Sequence, residues 1–130
     1  MAKTNRVFIS FAVKNETEDK SYCTVLAGQA KNKASPFEFV NMSVKEPWDE
    51  KWKTNCRTRI KGCDGLIALI SKNTKDADGA LWEIQCAYDE KVPVMLMWVN
   101  DERPALPTLL KDKRINVWTW DNIKAFLDKL

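Results

Sequence analysis

The chain has 130 residues, 45% hydrophobic and 30% charged, which suits one domain around one core. Its 21 basic and 18 acidic side chains are interspersed and leave a net charge of +3, with no Lys/Arg block dense enough to argue for nucleic acid. There is no histidine, which excludes a Ser-His-Asp or Cys-His mechanism within the chain, and Cys23, Cys56, Cys63 and Cys86 show no C-x-x-C spacing, which argues against a metal site of the usual zinc kind.

Met1 to Arg6 leads into no long apolar region, and no run approaches a membrane span, so a cytoplasmic protein without membrane contact is expected. Val7-Phe8-Ile9-Ser10-Phe11 reads as the first strand. A helix is expected from about Thr17 to Lys31, with Tyr22, Val25, Leu26 and Gln29 on one face. Phe37 to Asn41 alternates and reads as an edge strand. Trp48, Trp52, Cys56 and Ile60 recur at i+4, so a helix is expected from about Trp48 to Lys61, with Pro47 at its start and Gly62 at its end. Gly65 to Ser71 is a continuous apolar strand. Gly79 to Ala87 follows as a helix whose apolar side holds Ala80, Leu81, Ile84, Ala87 and Tyr88. Glu83 falls at the border of that side, expected half out of water.

Pro93 to Val99 is the fourth strand. Pro104 and Pro107 leave room for at most a short helical turn between Asp101 and Lys113. Ile115 to Trp118 reads as a short edge strand. A last helix runs to Leu130, capped by Thr119 or Asp121, with Ile123, Phe126, Leu127 and Leu130 on its inner face. The first, third and fourth strands are nearly continuously apolar, as strands buried on both faces are. This alternation predicts a single α/β domain over residues 1–130, a parallel sheet with helices on both sides. The cysteines in helical patterns, Cys23, Cys56 and Cys86, read as small buried hydrophobes.

In such sheets ligands bind outside the carboxyl ends of the strands. Those ends carry Ser10 and Phe11, Asn41 to Ser43, and Ser71. A phosphate-binding G-x-x-x-x-G-K-[ST] loop is absent, as is a G-x-G-x-x-G turn. The acids that a phospho-acceptor receiver needs are missing, since Ser10-Phe11 and Ser71 stand in their places. What remains is a pocket of hydroxyls, an amide and aromatics, with Glu83 rising beside it.

Phe8-Ile9-Ser10-Phe11, the Arg59-Ile60-Lys61-Gly62-Cys63-Asp64 turn, Ser71-Lys72-Asn73-Thr74 and Trp82-Glu83-Ile84 together resemble a TIR domain. Gly28 to Asn32, Ser35-Pro36-Phe37, Lys45-Glu46-Pro47-Trp48 and Trp52 are similar to the short bacterial and archaeal TIR-like domains related to the TIR components of Thoeris antiphage systems. The resemblance runs from about Arg6 to Val99. It implies a flavodoxin-like, five-stranded parallel sheet in the order 2-1-3-4-5.

It also implies an activity, cleavage of the nicotinamide–ribose bond of NAD+ as substrate, with no separate cofactor and no metal. The product would be ADP-ribose or a cyclic ADP-ribose-type signal that acts on an effector protein. Glu83 matches the family's catalytic Glu. Ser10 and Phe11, and Asn41, Ser43 and Trp48 in the loop after strand two, match positions that contact substrate in other members. That loop often carries an acid where this chain has Asn41, so a polar rather than a charged contact is implied there. Each has a plainer structural reading: Ser10 can simply end a strand, Phe11 can be core, and Trp48 and Trp52 can be core packing. The rival classes are a non-catalytic TIR-type interaction module and a nucleotide-sensing domain. Trp82, opposite Ala80, Ile84 and Ala87 on its helix, is expected outside the monomer's core, at a self-association surface or against the 73–79 loop.

Overall fold

The computed structural model describes residues 5–11, 37–40, 50–72, 78–99, 103–106 and 108–130. The expected first helix, and Asn41, Ser43, Trp48 and Cys23, lie outside the described residues, as does the side chain of Trp52. The described strands are β1 (Asn5–Phe11), β2 (Phe37–Val40), β3 (Gly65–Ile70) and β4 (Val94–Trp98), with a two-residue β5 (Ile115–Asn116). The described helices are α1 (Glu50–Lys61), α2 (Asp78–Asp89) and α3 (Trp120–Asp128), and a single 3-10 turn spans Thr108–Leu110.

Four strands of four to seven residues carry the sheet, and β5 extends it by one short pairing. The order is β2-β1-β3-β4-β5, and every pairing is parallel. This is the strand order of flavodoxin-like sheets. The alternating second run does lie at an edge, and the apolar β3 is buried along its whole length. β5 is shorter than the expected Ile115–Trp118, because Val117 turns out to solvent instead of pairing.

Alternation along the strands splits the core into two layers. Phe8, Leu66, Ala68, Ile70 and Leu96 pack with Cys56 and Ile60 of α1 and with Ile84 and Ala87 of α2. Val7, Ile9, Ile67, Leu69, Met95 and Met97 pack on the other face with Ile123 and Leu127 of α3. Helices therefore cover both faces. Phe126 of α3 and Leu130 just after it approach β3 so closely that a Cβ on Gly65 would meet Phe126 Cζ at 2.9 Å and Leu130 Cδ2 at 3.0 Å. A residue without a side chain is what permits that contact.

Local capping explains the ends of two helices. Thr119 is the N-cap of α3, its hydroxyl accepting from the Asn122 backbone N–H at 3.1 Å. Asp121 sits in the first turn, where the helix dipole favours an acid. α2 stops at a left-handed Lys91 (φ 59°), with the Val92 N–H closing onto the Ala87 carbonyl at 2.9 Å. No helix among the described residues is long and apolar enough to cross a membrane.

Candidate active site

The site begins with strand parity. Ser10, near the carboxyl end of β1, shares the face of Phe8 and so points toward α1 and α2. Its neighbour Phe11 points the other way and packs half-buried against the α3 layer. The fold thus brings Ser10 to Glu83 and does not bring Phe11 to it.

Glu83 stands in the second turn of α2 and is 7% exposed. This corrects the expectation of a carboxylate half out of water at the edge of an apolar stripe. The helix is covered on two sides, by the sheet and by α1, so more of its circumference is buried than one amphipathic face accounts for. Cys86, on the same helix, is buried for the same reason.

Both carboxyl oxygens are held. The Ser10 hydroxyl donates to Oε1 at 2.8 Å and lies 3.3 Å from the Ala80 carbonyl. The Cys56 thiol, from the middle of α1, donates to Oε2 at 3.7 Å. Burial pushes the Glu83 carboxyl up to about 8, with the hydrogen bonds from Ser10 and Cys56 pulling in the opposite direction. Burial, and then the carboxylate beside it, push the Cys56 thiol far above its usual range, so it stays S–H and remains a donor. Cys56, Cys63 and Cys86 are buried and form no disulfide, consistent with small apolar core residues. The contact of Cys56 with Glu83 had no signal in the sequence, because it depends on how α1 lies against α2.

Trp82 is half-buried and packs against the core layer of α1 and α2, which corrects its expected place outside the monomer's core. The Arg57 guanidinium of α1 lies 5.6 Å from its ring centroid and reaches Glu90 at 2.6 Å. Beside them a groove of about 400 Å3 runs between α1 and Trp82. A second groove, of about 430 Å3, lies between β4, β5 and α3. Neither is lined by Glu83. The chain leaves the carboxyl ends of β1, β2 and β3 into stretches 12–36, 41–49 and 73–77, outside the described residues. Among the described residues no cluster of three or more His, Cys, Asp or Glu side chains is placed to hold a metal ion.

Parallel α/β sheets bind ligands outside the carboxyl ends of their strands, and in this one a buried carboxyl lies near that edge. Residues 8–104 match the family model described as Thoeris protein ThsB, TIR-like domain. The chain belongs to that TIR-like family. No curated protein matches it. Among solved structures it is similar to a 2-deoxyribosyltransferase from Bacillus psychrosaccharolyticus, at 20% identity and TM-score 0.64, over 94% of this chain and 95% of that one. It is also similar to a conserved protein from Enterococcus faecalis V583, at 15% identity and TM-score 0.66, over 98% and 100% of the two chains. A prokaryotic SEFIR domain matches at 15% identity and TM-score 0.62, over 97% and 95%. At these identities the three structures speak for the fold alone.

Proposed function

We propose that this chain is a cytoplasmic NAD+-consuming TIR enzyme of antiphage signalling, which cleaves the nicotinamide–ribose bond to give ADP-ribose or a cyclic ADP-ribose-type product for an effector protein. The observation that carries the proposal is Glu83, buried on α2 with each carboxyl oxygen held by a donor from a different element. Nicotinamide in NAD+ is cationic and leaves as a neutral molecule, taking the electron pair of the C1′–N bond. It needs no general acid, so a chain without histidine is equipped for the step. The ribose left behind is oxocarbenium-like, and a fixed carboxylate in a dry site stabilises that charge. A cationic substrate beside Glu83 lowers its proton affinity, so binding itself favours the ionised form. Water, or a nucleophile of the adenine, then adds at C1′ and loses a proton.

Ser10 anchors Glu83 in this reading, and Asn41, Ser43 and Trp48 remain proposed substrate contacts, whereas Phe11 packs on the other face of the sheet. The half-buried Trp82, beside the α1 groove, is the proposed self-association surface.

The burial of Glu83 also supports a second reading, a non-catalytic interaction or nucleotide-sensing module in which the carboxyl only ties α2 to β1 and α1. Incubating the purified protein with NAD+ and following free nicotinamide by chromatography separates the two. Nicotinamide release, with ADP-ribose or a cyclised product in equal amount, supports the enzyme. NAD+ left intact by folded protein, alone and at high protein concentration, supports the module.

A further inference from the structure

The hydroxyl of Ser10 has one proton and two acceptors within reach, Glu83 Oε1 and the Ala80 carbonyl. It therefore serves Glu83 in either state. Facing a carboxylate it donates to Oε1, and facing the neutral acid it turns its proton to Ala80 and accepts from the acid. Cys56 lacks that freedom. Its Sγ sits 3.7 Å from Oε2, in a wholly buried position, with that oxygen as its acceptor. A thiol is a weak acceptor, so its contact with Oε2 is satisfied best when Glu83 is ionised.

We propose that Cys56 is a positioning residue for Glu83: its thiol, carried by α1, fixes Oε2 and biases the carboxyl toward the ionised form. The use of that form rests on the enzymatic reading above, whereas the hydrogen bond and its bias do not. The groups around the pair are few. Among the described residues, Ser10 faces Glu83 from β1 and Cys56 faces it from α1. The Cys86 thiol lies three residues on along α2, and Arg59 of α1 acts on the Cys56 thiol. Desolvation of the carboxyl opposes ionisation, so the donors at its two oxygens are what work against it.

The test is infrared titration of the whole protein without substrate. The carbonyl band of protonated Glu83, identified by its loss in Glu83→Gln, gives the midpoint of its titration. The S–H stretch reports the thiol in a spectral window clear of other protein bands. As Glu83 ionises in the wild type, one S–H band, absent in Cys56→Ser, moves to lower frequency with the same midpoint. In Cys56→Ala the Glu83 midpoint rises by about half to one pH unit, the shift expected for one lost hydrogen bond. Cys56→Ser, which keeps a donor, returns the midpoint toward that of the wild type. Equal midpoints in all three proteins, or an S–H band that ignores the titration, overturn the proposal. If Cys56→Ala does not fold, the wild-type S–H band decides by itself. Because no substrate is present, a protein that leaves NAD+ uncut yet titrates this way refutes the enzymatic reading and keeps the role of Cys56.

Discussion

Replacing Glu83 by Gln removes a titrating group from the core, and its effect on stability follows from the structure. Burial raises the Glu83 carboxyl from the ordinary 4.5 to about 8. The native state therefore keeps a proton that the unfolded chain releases at lower pH. Stability is full below about 4.5 and falls as pH climbs toward about 8, by about 1.4 kcal/mol per unit inside that window. Between pH 5 and pH 7 the wild type should lose about 2–3 kcal/mol from this group alone. That is a large part of the 5–15 kcal/mol typical of a domain. Gln has nearly the same volume and does not titrate. Urea denaturation of both proteins at the two pH values isolates the effect, since other groups cancel in the difference. The gap between them should move by about 2–3 kcal/mol in favour of Glu83→Gln at the higher pH, or roughly 10 °C in melting temperature. Parallel stability curves for the two proteins would mean that Glu83 is solvated, and the picture of a buried, proton-holding carboxyl would fail.

Three further substitutions probe the frame and the seam. Thr119→Ala removes the N-cap of α3 and should cost about 1 kcal/mol by denaturant unfolding; no loss would show that the cap is redundant. Lys91→Gly relieves a left-handed residue at the end of α2 and should leave stability equal or raise it by up to about 1 kcal/mol, and a clear loss would contradict the backbone described there. Trp82→Ala strips packing and a cation–π contact from the α1–α2 seam and should cost about 1–3 kcal/mol. If Trp82 also mediates self-association, that variant loses more specific activity at low protein concentration than at high. Concentration-independent activity in both proteins would rule the association out.

Much of the frame was legible because it rests on local periodicity. The i+4 series ending in Cys56 and Ile60 marks a buried helix face, and both residues are wholly buried. The continuous apolar run of Gly65 to Ile70 marks a central strand, and the alternating run at Phe37 marks an edge. The limits appear where two helices meet. The 3.6-residue period assigns one buried stripe to α2, but α1 covers a second side of it. Glu83 was thereby carried into the core and Trp82 drawn half into it, whereas Cys86 is buried as its residue type had suggested. The hydrogen bond between Cys56 and Glu83 joins residues 27 apart in sequence, across two helices whose relative placement no local pattern specifies. Ser10 and Phe11 show the converse. Their adjacency suggested one shared site, whereas a two-residue period sends them to opposite faces of the sheet.

The central claim is that the carboxylate of Glu83 does chemistry on NAD+. Its most direct test is nicotinamide release by wild type and by Glu83→Gln, measured at equal concentration after both are shown to be folded. Steady release by the wild type and a fall of about 100-fold or more in the variant are expected, the size that follows when a charge that stabilises the transition state is removed. Undiminished release by a folded Glu83→Gln protein would contradict the claim.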